Sequence, residues 1–111
     1  MIHTGLTLER WSKFSVFEQL ANVGTDIARV IQGKKQGDSH YSEKAFERAM
    51  ELLDLTIADS KNKGTVLKEL VRVREALKDY FVYDNEYRTS EEFWQQYFYD
   101  FNYAAAIQRG R

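Results

Sequence analysis

Residues 15–32, SVFEQLANVGTDIARVIQ, carry the periodicity that decides the fold of this chain. Placed at 100° steps, its apolar and small residues recur every three or four positions and form one stripe. This stripe contains Phe17, Leu20, Gly24, Ile27 and Ile31, and is widened by Ala21 and Ala28. The opposite face carries Glu18, Asn22, Asp26 and Arg29. The stretch therefore predicts an amphipathic helix with one buried face, one solvated face, and room for a close neighbour at the small residues.

The same periodicity continues along the chain and predicts three further helices, at 39–59, 65–83 and 90–108. The absence of proline permits long uninterrupted helices, and glycines separate the periodic segments. Helices of this length joined by short loops pack as antiparallel neighbours. We therefore predict an all-α, up-down-up-down antiparallel four-helix bundle, preceded by a short N-terminal arm or helix in residues 1–14.

The faces and ends of the later helices are predicted in the same way. In the helix at 65–83, Val66 is expected in the apolar stripe and Asp79 on the solvated face. The last helix is expected to begin with a capping box. In this motif Thr89 and Glu92 each satisfy a free backbone N–H of the other.

Length and composition limit the possible classes of protein. A chain of 111 residues fits a single domain, 1–111. Its net charge of −1 gives no overall field that would attract nucleic acid or a membrane. The lack of cysteine excludes disulfides, thiolate metal sites and cysteine nucleophiles. No apolar run is long enough to span a membrane, and the start MIHTGLTLERW lacks the blocks of a signal peptide, so a cytoplasmic protein is expected.

Residues that commonly carry catalytic or metal chemistry are sparse. His3 and His40 have no carboxylate or second histidine at helical spacing, and the Glu-x-x-His motif of di-iron bundles is absent. The run Lys63-Gly64-Thr65 lacks the upstream glycine and the strand of a phosphate-binding loop. We therefore predict that the protein is not an enzyme and has no catalytic residue, no metal and no cofactor.

Eleven of the sixteen aromatic residues fall in residues 80–103, YFVYDNEYRTSEEFWQQYFYDFNY. Some of them complete apolar stripes, but the last helix has no clean polar outer face. That outer face contains Gln96, Tyr99, Tyr103 and Ile107. Tyrosines are common at interfaces because they combine apolar area with a polar tip. The pattern predicts a non-enzymatic helical-bundle protein that assembles or binds a partner through this face.

Two explanations of the outer face remain open at this stage. A second copy of the chain or another protein covers it, or the N-terminal arm folds back over it. The arm carries scattered apolar residues that would do so, namely Ile2, Leu6, Leu8 and Trp11. A third explanation, the stacking of nucleic-acid bases on the two tyrosines, is disfavoured because the adjacent Glu92 and Asp100 would repel phosphates.

An alternative function follows from the distribution of charge. In an up-down bundle the loop at 60–64, the start of the first long helix and the C-terminus share one end. The basic residues Lys61, Lys63, Arg109 and Arg111 then meet there and form a candidate nucleic-acid surface. Ordinary solubilising charge is the plainer explanation of these residues. The alternative prediction is a nucleic-acid-binding accessory protein.

Arg74 is a charged residue on an otherwise apolar stripe, between Leu70 and Leu77. It either extends its guanidinium to the edge of the bundle or pairs with a neighbouring carboxylate. The other hypothesis is a ligand-binding group in a small cavity of the bundle.

Three stretches carry a resemblance to known proteins: WSKFSVFEQLANVGTDIARVI, EKAFERAMELLDLTIAD and LVRVREALKDYFVYDNEY. They resemble a family of small uncharacterised bacterial proteins, a resemblance that covers most of the chain and implies no activity. In architecture the chain is similar to the four-helix bundles that include the accessory variability protein of diversity-generating retroelements. That likeness implies an oligomer that binds nucleic acid and a reverse transcriptase. Those proteins are markedly basic, whereas this chain carries a net charge of −1.

Overall fold

The computed structural model describes residues 6–110, which fold into helices connected by loops and contain no strand. The helices are α1 (Leu8–Trp11), α2 (Val16–Lys35), α3 (Ser39–Ala58), α4 (Thr65–Phe81) and α5 (Glu91–Arg109). The four long helices pack together, and their ends differ from the predicted ends by at most three residues. In this part of the chain no helix is both long enough and apolar enough to cross a membrane.

Side chains just before three of the long helices explain where those helices begin. Ser15 and Glu18 form a capping box at the start of α2, and Asp38 accepts a hydrogen bond from the N–H of Tyr41 at the start of α3. The capping box predicted for Thr89 is wrong. Ser90 is the cap of α5, because its hydroxyl accepts the N–H of Phe93 at 3.0 Å.

The long helices pack around α2, which lies against both α3 and α5, while α4 lies against α3 and α1 rests on α3. Every long helix contributes fully buried side chains to one core. The largest of these include Ile27, Leu53, Leu70, Leu77 and Trp94. The core is therefore shared by all four long helices, as the apolar stripes predict.

Contacts at both ends of the helices give their relative directions. The hydroxyl of Ser42, at the start of α3, donates to the carbonyl of Val30 near the end of α2. Lys35 at the end of α2 pairs with Glu91 at the start of α5, with 2.8 Å between Nζ and Oε2.

The opposite ends of the same helices also meet. Gln19, near the start of α2, donates to Asp59 just after α3, and Ser15, just before α2, donates to Gln108 near the end of α5. Because both ends of α2 meet the opposite ends of their neighbours, α3 and α5 each run antiparallel to α2.

Two predicted solvated residues are buried instead. Asp26, predicted on the polar face of α2, is only 2% exposed. It lies toward α3 and pairs with Arg29 at 3.0 Å and with Arg48 at 3.5 Å. The buried arc of α2 is wider than one stripe because the helix has neighbours on two flanks. Asp79 is the second case, and its partners are described below.

Two large side chains that were predicted in the core are partly exposed. Phe17 and Val66 lie in the first turns of α2 and α4, at the ends of the bundle, where fewer side chains cover them. Phe17 still contacts Phe101 of α5, with 6.1 Å between the ring centroids. Periodicity describes the middle of a helix better than its first turn.

Candidate interaction surfaces of the last helix

The outer face of α5 presents two stacked tyrosines to solvent. The Tyr99 and Tyr103 side chains are each 59% exposed, and their rings lie 6.4 Å apart at an interplanar angle of 18°. This stacking arises because residues four apart lie one above the other on a helix. We call this pair the aromatic ridge. On the same face Gln96 donates a hydrogen bond to Asp100 at 2.9 Å, and Ile107 is half-exposed.

A groove runs beside the aromatic ridge, between α5 and α2, and encloses about 250 Å³. Its α2 wall consists of small side chains, and its α5 wall includes Phe98, Tyr99 and Asn102. The small side chains are Ala21, Gly24, Thr25 and Ala28. The small residues that were predicted to widen the α2 stripe therefore lie along one flank of the aromatic ridge.

The described part of the N-terminal arm leaves the ridge open. Trp11 is buried against α3, where its Nε1 donates to Oγ1 of Thr56 at 3.0 Å. Leu6 packs against the core and Leu8 is exposed. Ile2 lies outside the described residues.

Three of the four residues of the predicted basic end lie in the described part of the chain, and one of these three is already engaged. The start of α2 meets the end of α5 there, where Ser15 donates to Oε1 of Gln108 at 2.9 Å. Lys63 and Arg109 are exposed, and Arg111 lies outside the described residues. Lys61 pairs with Asp59 and also donates to the carbonyl of Ser12 at 3.1 Å.

Lys61 belongs to a buried polar cluster that the sequence did not reveal. Gln19 is fully buried and donates to Oδ2 of Asp59 at 2.8 Å and to the carbonyl of Trp11 at 3.0 Å. Asn62 donates to Oε1 of Gln19 at 2.9 Å. Among the described residues every buried side-chain nitrogen and oxygen has a partner. The cluster fastens the loop after α3 to α2, which gives Lys61 a structural role.

Acid should weaken this cluster through Asp59. Burial alone raises the pKa of this carboxyl, but hydrogen bonds from the Lys61 and Gln19 side chains and from the Lys61 N–H outweigh it. The pKa is therefore lowered from its ordinary value of 3.8. The stabilisation is complete above the unfolded pKa, near pH 4, and is lost as the pH falls through the lower folded value.

We expect the free energy of unfolding of the wild type to fall more steeply below about pH 4 than that of Asp59→Asn. Urea titrations of both proteins across the acid range measure this, and parallel curves would contradict it.

Arg74 takes the pairing alternative. Its Nε donates to Oδ1 of Asp54 on α3 at 2.7 Å, and its side chain is half-buried between α3 and α4. It lines neither the groove between α2 and α5 nor the cavity between α4 and α5. Arg74 therefore links α4 to α3.

The turn between α4 and α5 is organised by polar residues that periodicity does not detect. Asp79, predicted to be solvated, is buried because its two oxygens accept the N–H groups of Glu86 at 2.8 Å and Tyr87 at 3.0 Å. Asn85 binds both the N–H and the carbonyl of Thr89. The Thr89 hydroxyl accepts the indole N–H of Trp94 at 2.9 Å. This series of hydrogen bonds fixes the turn to α4 and to the buried start of α5.

The same turn holds two residues in the left-handed backbone region. Asn85 has a φ of 55° and Arg88 a φ of 57°. Asparagine adopts this conformation readily, whereas for an arginine it costs about 1–2 kcal/mol. Such strain persists only where the surrounding contacts enforce it, and it is concentrated at functional sites. The turn is therefore a second region of interest, next to the outer face of α5.

These observations define a small all-α protein whose most exposed aromatic side chains lie on its last helix and in the turn before it. No protein-family model matches the chain, and we find no match among curated proteins or solved structures.

Proposed function

We propose that the protein is an up-down-up-down four-helix bundle with a short N-terminal helix, and that it acts by assembly rather than by catalysis. Two copies associate through the outer face of α5. The observation that carries the proposal is the aromatic ridge, two stacked tyrosines that are each 59% exposed. Exposed aromatic side chains at the centre of a contact supply much of the binding energy of protein interfaces.

The position of the ridge favours a second copy of this chain as the partner. α5 has 19 residues and is about 28 Å long. Tyr99 and Tyr103 lie on either side of residue 101, close to the middle of this helix. A two-fold axis at the ridge therefore stacks each pair of tyrosines on its symmetry mate along two antiparallel helices. A symmetric dimer requires such a self-complementary surface.

Charge at the two ends of α5 suits the same arrangement. Its first turn contains Glu91 and Glu92, and its last turn contains Arg109. In an antiparallel pair the acidic turn of one copy faces the basic turn of the other. The opposite ends of the two helix dipoles also meet. Glu91 already pairs with Lys35, so Glu92 is the acidic residue available to the second copy.

The size of the contact sets the expected strength. A fully enclosed aromatic side chain buries about 150–250 Å², and a stable interface needs about 800 Å² on each partner. The ridge supplies only part of that area, and the shallow groove beside Ala21 and Ala28 supplies more. We therefore expect a reversible dimer whose population depends on protein concentration.

We predict that Tyr99→Glu/Tyr103→Glu abolishes the dimer, because two buried charges would face two others across the axis. Sedimentation over a wide concentration range should show wild type rising from 13.1 kDa toward twice that mass, while the variant stays at 13.1 kDa. Tyr83→Glu/Tyr87→Glu is the matched control, because it changes two equally exposed tyrosines in the turn. It should behave as wild type.

A charge exchange tests the antiparallel arrangement. Glu92→Arg and Arg109→Glu should each weaken the dimer, and the double variant should restore it. Wild type that remains monomeric at every concentration would refute self-assembly. If a protein partner is then captured by wild type but not by Tyr99→Glu/Tyr103→Glu, the ridge is a surface for that partner instead.

The basic end supports the nucleic-acid alternative less well. Of the four basic residues proposed for it, Lys61 is held by Asp59 and by the carbonyl of Ser12. Phosphate binding through Lys63 and Arg109 would weaken with added salt. Retardation of RNA or DNA at low salt that is lost in Lys63→Gln/Arg109→Gln would favour this alternative.

A further inference from the structure

A small cavity of about 190 Å³ opens between α4 and α5, on the other flank of α5 from the groove beside the ridge. Four of the residues that line it are aromatic. They are Tyr87, Phe93, Trp94 and Tyr97. The remaining wall includes Val73 and Ala76 of α4. The cavity is therefore an aromatic recess rather than a gap between polar side chains.

The rings form walls in two directions. Phe93 and Tyr97 are stacked, 6.1 Å apart at 22°. The Trp94 ring stands nearly perpendicular to both, at 82° to Phe93 and 78° to Tyr97. Aromatic side chains that line a recess are the surroundings that attract an organic cation, because the faces of aromatic rings are electron-rich.

One carboxylate lines the cavity, that of Glu69. Its Oε2 accepts the hydroxyl of Tyr97 at 3.0 Å, so the carboxylate is held against the aromatic wall. Burial, together with the negative charge of Glu69, raises the pKa of the Tyr97 hydroxyl above its ordinary value, so this donor keeps its proton over a wider pH range than an exposed tyrosine does. The other oxygen, Oε1, lies 3.6 Å from the Nη2 of Arg72.

The walls are positioned before any ligand arrives. Thr89 holds the Trp94 indole at 2.9 Å, and Asp79 holds the backbone of Tyr87 at 3.0 Å. A site whose groups are already oriented loses less free energy on binding. The strained residues Asn85 and Arg88 lie in the turn that these contacts enforce.

We propose that this cavity binds a methylated ammonium group, with the positive charge over the aromatic faces and beside Glu69. Its volume equals that of about six molecules of liquid water at roughly 30 Å³ each. Cavities for drug-sized ligands and cofactors begin at about 300 Å³. The recess therefore admits a single head group and leaves the rest of the ligand outside.

Arg72 gives the proposal a distinctive consequence. Its guanidinium is mostly exposed and forms only a long ion pair with Glu69. Such pairs are weak, so a methylated ammonium group can displace Arg72 from the carboxylate. Arg72 competes with the ligand, whereas Glu69 attracts it. Substitutions at the two residues must then change affinity in opposite directions.

The test uses choline as the probe. The matched ligand is the neutral isostere of choline, in which a carbon atom replaces the nitrogen. In NMR titrations the methyl protons of bound choline should shift upfield, because they lie over aromatic rings. The neutral isostere should bind more weakly. Glu69→Gln, which keeps an acceptor for Tyr97, should weaken choline binding about two- to five-fold, and Arg72→Gln should strengthen it by a similar factor.

Phe93→Ala should abolish the upfield shift, whereas Tyr99→Ala, outside the cavity, should leave it unchanged. Thermal unfolding followed by circular dichroism checks that each variant is folded. Equal binding of choline and its neutral isostere, or the same direction of change in Glu69→Gln and Arg72→Gln, would overturn the proposal. Absence of any upfield shift with folded wild type would also overturn it.

Discussion

Trp11→Ala is expected to lower the free energy of unfolding by about 3–5 kcal/mol, the usual cost of emptying a buried tryptophan site. Trp11 is only 4% exposed, although it belongs to a helix of four residues. Its indole packs against α3 and donates to Thr56, and its carbonyl accepts from the buried Gln19. Loss of the ring therefore leaves a cavity and loosens the polar cluster. Because the total stability of a domain is about 5–15 kcal/mol, this loss is a large fraction of it.

Two further variants separate what the Trp11 hydrogen bond and the neighbouring Phe14 ring each contribute to stability. Trp11→Phe keeps most of the apolar volume and loses the donor to Thr56, so we expect a loss of about 1–2 kcal/mol. Phe14→Ala removes a neighbouring ring that is partly exposed and contacts Trp11 edge-on at 5.5 Å. It should cost about 1 kcal/mol. Urea titrations followed by circular dichroism measure all three. A loss below about 1 kcal/mol for Trp11→Ala would mean that α1 is not part of the folded core.

The helices themselves were predictable, because long amphipathic periods such as that of α2 depend on local sequence alone. The outer face of α5 followed from the same projection. Tyr99 and Tyr103 fall on one line of α5 because they are four residues apart, and the packed bundle leaves that line exposed. The part of the candidate site that lies on a single helix was therefore accessible from sequence.

The buried polar residues were not predictable, because their partners come from distant parts of the chain. Asp26 is buried only because α3 brings Arg48 to it, and Gln19 is buried only because Asp59 and Asn62 meet it. A helical projection assigns each of these residues to a face by type, and polar residues are assigned to solvent.

The aromatic recess escaped prediction for a related reason. Its residues come from α4, the turn and α5, and the turn is fixed by Asp79 rather than by any periodic pattern. The capping box predicted at Thr89 shows the same limit. Thr89 has the right spacing to Glu92, but in the folded chain its hydroxyl accepts the indole N–H of Trp94. A different local contact, to a side chain five residues along the chain, took the place of the predicted one.

Gly24→Ala is expected to destabilise the protein although alanine is the better helix former. In an exposed helix this substitution stabilises by about 1 kcal/mol. Here a Cβ on residue 24 would lie 2.6 Å from Cβ and 2.9 Å from Cγ of Phe98, whereas carbon atoms in contact prefer about 3.5–4.0 Å. The Phe98 Cβ is attached directly to the backbone, so α5 itself must move away from α2. We expect a net loss of about 1–3 kcal/mol, typical of an overpacked core.

The same displacement should reach the proposed interface, because Tyr99 follows Phe98 and lines the groove beside Gly24. Gly24→Ala should therefore weaken the dimer as well as the fold, which sedimentation at matched fractions of folded protein can resolve. Asn22→Ala is the control. Asn22 also lies on α2 but is exposed and does not line the groove, so this substitution should leave the dimer unchanged and change stability by no more than about 0.5 kcal/mol. If Gly24→Ala instead stabilises the protein by about 1 kcal/mol, as in an isolated helix, then α2 and α5 do not make the close approach on which the position of the ridge depends.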